Sequence, residues 1–551
     1  MSKTRIHEIK GSIPEKAKAY AKLRGCETPQ EVDAFFKRQI PKDPLRLIPK
    51  VREIRKRMEQ VRKNKETVCI VGDYDCDGIT SSAIVAQRMA KWGCPHHTVL
   101  PRRDKDGYGF SEGLLKKALK HKPDLIIVLD SGTQAHEAID KAREHCDIHV
   151  IDHHDPGKTQ EHQYVFNPEY MVDNAMGRDL KRLCTAGLAY LIFEKHLLDC
   201  SEMALTLAAV GTVADVVPLL GLNRAIVHNG LTYLNRKIHT PLLLAAIAKE
   251  KNIKHWDTQT IGFQIGPLIN AAGRLNQPDT AFAGLMVTNT REAEKSTNTL
   301  SNLNQQRKEI EAEITEEAIA LSESEKNAQI IIVQKKGWHP GVIGIVAARL
   351  SDKFNRPAIV MAWEPEQQIW TGSGRSPKND QFNLGDFLIG LQKESVILKG
   401  GGHAQAAGLS VTPKQMLKAR NRIRNQTFDP SLNIGEIEII GETWDMTLPE
   451  WTTLWEKLGP FGTECPKPHL KLPPCECEKP QELRTNKSPF KIWAYKSTIK
   501  KGNQYITLLT NASNDTLLQE ISKTGALAQP EKNLWNDRVY YQLRLKPIPN
   551  L

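Results

Sequence analysis

No run of about eighteen apolar residues occurs in the 551-residue sequence, so no segment of it is expected to cross a membrane. The opening stretch MSKTRIHEIKGSIPEKAKAY lacks the apolar core of a secretory signal, and a cytoplasmic protein is the expectation. No glycine-rich phosphate loop with its lysine occurs, which turns the reading away from nucleotide-driven work. The ten cysteines (Cys26, Cys69, Cys76, Cys94, Cys146, Cys184, Cys200, Cys465, Cys475, Cys477) are scattered and form no disulfide framework. Internal repeats and long low-complexity tracts are also missing.

What is present is charge, unevenly placed. The formal total of +12 divides into +10 over residues 1–66, +7 over 479–551 and −5 between them. Basic ends around an acidic middle suit a grip on a polyanion built around a metal centre. Solvated lysine-rich helices such as VREIRKRMEQVRKNK account for part of the N-terminal excess equally well.

The chain is too long for one core, so several domains are expected. After a helical N-terminal segment, residues 67 to about 155 alternate strand and helix. TVCIVG, HHTVLPRR, DLIIVLD and IHVID read as strands; SSAIVAQRMAKWG, SEGLLKKALKH and AHEAIDKAREH read as helices. Such βαβ units imply a parallel sheet with helices on both faces. A largely helical stretch follows to about residue 245. Leu300, Leu303, Ile310, Ile314 and Ile319 recur at helical spacing and predict a long amphipathic helix over 293–325. A second α/β region contains the strands QIIIVQ and AIVMAW and the helix GVIGIVAARLSDKF. From about Gly435 the composition becomes β-rich.

The aspartates fall at informative places. Asp73, Asp75 and Asp77 follow the first strand in VGDYDCDGIT. Asp130 closes LIIVLD, and Asp152, His153 and His154 close IHVID. In an open parallel sheet these positions meet at the carboxyl edge, where such folds place their sites. Asp215, in GTVADVVPL, ends an apolar helical run and is positioned to join them. Converging carboxylates repel one another unless a cation neutralises them. Oxygen-rich sites with one or two imidazoles suit Mg²⁺ or Mn²⁺, the histidines favouring Mn²⁺. Two such ions, roughly 3.5–4 Å apart, would hydrolyse a phosphodiester. Alone, DYDCDG could be a turn or a calcium loop, and a His-His pair a surface accident. Their placement on successive strand ends argues otherwise.

At these residues the chain resembles the DHH phosphoesterase superfamily, named for the tripeptide found here as Asp152-His153-His154. DYDCDG is similar to its first motif, LDSG at 129–132 to the second and GTVADVVPL to the fourth. RRDKDGYGFSEG, GLNRAIVHNGL, INAAGRLN, GWHPGVIGIVAARLSDKFNRPAIV, TGSGRS and GGHAQAAGL extend the likeness toward the RecJ branch, the last being the signature of its DHHA1 domain. The resemblance implies five parts: a basic helical segment (1–66), a DHH catalytic domain (67–245), a helical linker region (246–325), a DHHA1 domain (326–430) and a C-terminal OB-like β-barrel (431–551).

It further implies 5′→3′ exonucleolytic hydrolysis of single-stranded DNA to mononucleotides, in repair and recombination. Carried over by residue, Asp75, Asp77, Asp130, His153 and Asp215 are metal ligands. Asp73 joins them or orients its neighbours. His154 faces the scissile phosphate, and Asp152 fixes an imidazole. Ser373 and Arg375 in TGSGRS hold a terminal 5′-phosphate, and Arg274 and His403 contact the scissile or neighbouring phosphates. Tyr495 and Lys496, among aromatics and lysines in SPFKIWAYKSTIKK, are candidates for gripping the strand, although most aromatics there suit a barrel core. A monomer, a single-strand-binding protein and a RecQ-type helicase complete the expected setting.

Two features depart from the family pattern. FGTECPKPHL replaces its usual turn, and Cys465, His469, Cys475 and Cys477 have a spacing unlike a standard zinc site. The segment 159–183 is unusually polar. Two rival functions share the motifs: a phosphodiesterase for dinucleotides or short oligonucleotides, and an inactive RecJ-like replication subunit. The basic third domain argues against the first, and the intact acidic positions against the second. A double-strand endonuclease is a weaker third.

Overall fold

Val68–Val71 and Leu125–Leu129 are apolar at every position and buried throughout, the mark of parallel strands covered on both faces. In the computed structural model they belong to a sheet of five strands: β1 (Val68–Val71), β2 (His96–Val99), β3 (Leu125–Leu129), β4 (Asp147–Ile151) and β5 (Val165–Phe166). Their order is β2-β1-β3-β4-β5, and every pair is parallel. The structure describes residues 4–9, 11–103, 106, 109–199, 201–325, 328–377, 382–427, 435–442, 445, 447–472, 481–483, 492–498, 505–510, 526–535 and 538–546.

Six helices matter for the site: α1 (Cys76–Trp92), α2 (Thr185–Ala189), α3 (Glu202–Ala214), α4 (Gly266–Arg274), α5 (Thr290–Ser322) and α6 (Ile343–Phe354). Helix α5 is the long amphipathic element expected from its leucine spacing. It buries Leu300, Leu303 and Ile314. Beyond its end, the buried carboxylate of Glu325 is held by Arg420 (2.7 Å) and Arg424 (3.1 Å). In its middle, buried Glu311 pairs with Arg307 one turn away and with Arg349 of α6.

The second sheet contains β6 (Ile331–Lys335), β7 (Ala358–Glu364), β8 (Ile369–Arg375), β9 (Lys399–Gly402) and β10 (Ala406–Val411), in the order β9-β10-β8-β7-β6. Only β6 and β7 run parallel. One face packs Ile332 and Ile359 against Leu388 and Leu391, and the other packs Ile331 and Val360 against Val346 and Leu350 of α6.

The chain forms two units, Arg38–Ser431 and a second made of Met1–Lys37 with Leu432–Leu551. This corrects the expectation of one helical N-terminal segment over 1–66. Thr4–Glu8 is a strand paired in parallel with Gly435–Glu442, while the helix Pro49–Asn64 belongs to the larger unit. A five-residue strand whose partner lies in a distant part of the sequence leaves no periodic signal of its own. The basic residues of the Pro49–Asn64 helix are partly committed inside the fold. Arg55 pairs with Asp43 (2.9 Å), Arg57 with Asp147 (2.6 Å), and Lys50 donates to Glu161 and to the carbonyls of His162 and Val165.

In the smaller unit eight strands form a sheet running from Thr4–Glu8 to Gln481–Leu483, with no pairing between those two ends among the described residues. The C-terminal region is therefore β-rich. Cys465 is buried against the Tyr20 hydroxyl (3.4 Å), and His469 Nε2 lies 3.3 Å from Gln529 Nε2. Cys475 and Cys477 lie outside the described residues. The polar segment 159–183 contributes β5, a short turn at Pro168–Tyr170 and the helix Ala175–Lys181.

Candidate functional site

The loop after β1 turns straight into α1, whose N-cap is Asp75. Its Oδ1 accepts the backbone N–H groups of Asp77 (3.0 Å) and Gly78 (3.1 Å). The turn is tight enough to require glycine at 78, where a Cβ would lie 2.5 Å from the Asp73 nitrogen. Helix α4 supports the loop from beyond: Asn270 Oδ1 accepts the Cys76 N–H (2.7 Å), and a Cβ at Gly273 would come within 2.0 Å of the Tyr74 carbonyl. Asp77 is fixed at both oxygens by the first turn of α2, accepting from Thr185 N (2.7 Å) and Ala186 N (2.8 Å).

Asp130 leaves β3 at φ 65°, and Val216, directly after Asp215, sits at φ 61°. Left-handed backbone is costly for both, most of all for a β-branched valine, and such strain gathers at functional sites. Asn223 secures the stretch after Asp215, donating to the carbonyls of Pro218 (3.0 Å) and Arg182 (2.5 Å).

The acidic positions and both histidines do converge. Donor atoms of Asp77, His153 and Asp215 all lie within 4.8 Å of one another, as do those of Asp130, His153 and His154, and those of Asp73, Asp75 and Asp130. His153 Nε2 is buried without a hydrogen-bond partner. It faces Asp130 (3.4 Å), Asp215 (3.5 Å) and Asp77 (3.8 Å). A buried ring nitrogen left open among three carboxylates is the donor set a divalent cation takes. The residues therefore fit a metal.

Electrostatics agree. Burial and the neighbouring Asp75 push Asp73 up to about 8. Burial, then Asp77 and Asp75, carry Asp130 and Asp215 well above the usual carboxylate range. Burial also lowers His153, which favours the neutral imidazole that can bind a metal.

Asp152 has a different role. Its Oδ1 meets His154 Nδ1 at 2.8 Å and accepts the His153 N–H (2.8 Å), while Oδ2 accepts from Thr133 N (3.0 Å) and Oγ1 (2.7 Å). Burial opposes its ionisation, yet these bonds hold it well below its ordinary value. Burial likewise acts to lower His154, but the bond to Asp152 raises it to about 9.

The second sheet supplies cationic groups. On β8, Arg375 Nη1 donates to Ser373 Oγ (3.1 Å) and the Gly374 carbonyl (2.8 Å). The start of α6 lies against them, since a Cβ at Gly344 would sit 3.0 Å from Ser373 Oγ and 3.3 Å from Arg375 Nη2. Arg274 donates to the Gly341 carbonyl (3.1 Å). Burial first, then the charges of Arg103 and Arg375, push it down to about 10. Burial and Arg103 lower Arg375 as well. Ser373, Arg375 and Arg274 therefore form one group around a fourth residue, Arg103, which the sequence reading did not single out. Arg103 lies in RRDKDGYGF, and its position over the Tyr74 ring (5.6 Å) would have had to be known to find it.

His403 is exposed on the turn between β9 and β10, beside β8 through the bond from Ser376 N to the Gln405 carbonyl (3.0 Å). Tyr495 and Lys496 occupy the strand Ile492–Thr498, and their side chains lie outside the described residues, as does Phe490. Among the described residues no helix is long and apolar enough to cross a membrane.

Residues 67–212 match the DHH family, N-terminal domain, and residues 327–427 match the DHHA1 domain. The chain is 31% identical to a Bacillus subtilis (strain 168) protein named single-stranded-DNA-specific exonuclease RecJ, over 90% of this chain but only 63% of that relative's length. The protein of the same name from Escherichia coli (strain K12) is 30% identical, with 84% of this chain and 85% of the relative covered. A crystal structure of RecJ in complex with Mn²⁺ from Thermus thermophilus shares the fold at a TM-score of 0.74 and 24% identity, covering 99% of this chain and 80% of that one. Sequence, fold and the converging acidic centre agree that the chain belongs to the RecJ family of DHH phosphoesterases.

Proposed function

We propose that this protein is a metal-dependent exonuclease that degrades single-stranded DNA from its 5′ end to mononucleotides. The observation that carries the reading is His153 Nε2, buried and unbonded among Asp77, Asp130 and Asp215. Asp75, Asp77, Asp130, His153 and Asp215 would hold two divalent cations, Mn²⁺ or Mg²⁺, with Asp73 completing or orienting the set. Bound there, the cations supply water activation and charge neutralisation at the scissile phosphate.

The chain's own residues do the rest. Asp152 holds His154 by Nδ1, which orients the ring to donate from Nε2 to a phosphate oxygen. The backbone N–H groups of Thr185 and Ala186 hold both oxygens of Asp77 in place. Among the described residues, Arg274 and Arg375 have no carboxylate as a hydrogen-bond partner, which favours an outside anion. We assign them, with Ser373 and His403, to the strand's phosphates, Ser373 and Arg375 taking the terminal 5′-phosphate that sets polarity.

A division into DHH domain, linker, DHHA1 domain and OB-like domain belongs to the same reading, with Tyr495 and Lys496 as strand contacts in the last. So do a monomeric state, a cytoplasmic location, and a single-strand-binding protein and RecQ-type helicase as partners. Product analysis on a long 5′-phosphorylated strand and on a dinucleotide tests it: efficient cleavage of the dinucleotide alone would replace the exonuclease with a small-substrate phosphodiesterase.

A further inference from the structure

We infer that Phe263 is a base-stacking platform at the rim of the catalytic centre, taking one unpaired nucleobase of the substrate strand; this rests on the nuclease reading above. Phe263 leaves 79% of its surface exposed and is the aromatic among the exposed large hydrophobic side chains of the described residues. It lies in a π-helical turn, Ile261–Ile265, that runs directly into α4. Single π turns within helices occur often at functional positions. The turn is anchored, since Ile261 and Ile265 are fully buried. The ring is therefore held out from a fixed backbone.

The anchor is the catalytic centre itself. A Cβ at Gly262 would lie 3.8 Å from Val213, and one at Gly266 would lie 3.2 Å from Ala214, the residues immediately before Asp215. At its other end α4 carries Asn270, which bonds the loop of Asp73, Asp75 and Asp77, and Arg274 of the basic group. Phe263 thus precedes an element that touches both sides of the acidic cluster. Val216, the residue after Asp215, is itself 67% exposed in its strained conformation. Beside a phosphate-handling centre, an exposed apolar ring matches the part of a nucleotide that is not charged. Every base presents a π face, so one ring can hold any sequence, as an enzyme consuming whole strands requires.

Release of the first nucleotide from 5′-phosphorylated oligothymidylate with Mn²⁺, by the full-length protein, tests this. Phe263→Ala is expected to raise KM about tenfold, the size of one lost stacking contact, while Phe263→Trp keeps the wild-type value. Single abasic nucleotides placed along the strand give the second readout. At one position the wild type is expected to lose about as much as Phe263→Ala does, and the variant to lose nothing more there. An unchanged KM in Phe263→Ala overturns the assignment. So does an equal loss on the abasic strand, which would mark the ring as a contact for protein rather than base. Should Phe263→Ala fail to fold, Phe263→Ser, which has neither a stacking face nor a charge, gives the same two readouts. A wild type inert on single strands would instead reject the nuclease reading, and is told apart by showing no difference between variants.

Discussion

His154 is tied to Asp152 at 2.8 Å through Nδ1, while its neighbour His153 points Nε2 at Asp77, Asp130 and Asp215 with no hydrogen bond. Adjacent residues of one type are thereby given different tasks, one ring braced by a carboxylate and the other left open to a cation. Asp152→Asn removes the charge that orients His154 but none of the donors around His153. We expect activity to fall by about 10–100-fold, with Mn²⁺ still binding, as read by parallel rate measurements and metal titration. Loss of metal binding would place Asp152 among the ligands instead.

The crowded carboxylates are a burden on the metal-free protein. Burial and mutual repulsion raise Asp130 and Asp215, so removing one charge relieves the fold even as it destroys function. Asp215→Asn is expected to raise the metal-free Tm by roughly 1 °C for each kcal/mol relieved, to shrink the rise in Tm that Mn²⁺ gives the wild type, and to abolish hydrolysis. Differential scanning calorimetry with and without Mn²⁺ checks all three together.

Acid should destabilise the fold through histidines away from the centre. Burial, above all, lowers His149, His196 and His228 to about 4 from an ordinary 6.5. A depressed histidine stays neutral in the native state while the unfolded chain takes the proton. Its contribution is thus fully present above 6.5 and is lost progressively as pH falls toward 4. Urea midpoints measured across that range should decline, and His149→Gln should flatten part of the slope. A midpoint independent of pH there would contradict the burial argument.

The basic group should read the strand's end. Arg375→Ala removes the guanidinium beside Ser373 and should raise KM for a 5′-phosphorylated strand to that of a 5′-hydroxyl strand, while the 5′-hydroxyl value stays nearly unchanged. Equal losses on both strands would move Arg375 from the terminal phosphate to an internal one.

The acidic centre was legible because a parallel sheet delivers its carboxyl ends to one edge. Asp73 and Asp130 each follow a strand whose unbroken apolar run announces it, and Asp152 follows the mixed strand Asp147–Ile151. Asp215 was legible as the end of an apolar helical run, and the long helix α5 by its periodic apolar face. Arg103 was not, because its place depends on packing over Tyr74, which no local pattern encodes. Nor was the pairing of Thr4–Glu8 with Gly435–Glu442, where two short strands meet from distant parts of the sequence. The charge of the Pro49–Asn64 helix misled in part: Arg55 and Arg57 look free in sequence and are ion-paired in the fold. Sequence locates groups that a regular element aims, and is silent about those placed by tertiary contact.

The most direct measurement follows 5′- and 3′-labelled single strands incubated with Mn²⁺ alongside Asp75→Ala and His153→Ala. The account predicts immediate release of labelled mononucleotide from the 5′ label, stepwise shortening of the 3′-labelled strand, no attack on a circular strand, and little activity from either variant. Equal activity of wild type and both variants, or cleavage of the circle, would contradict it.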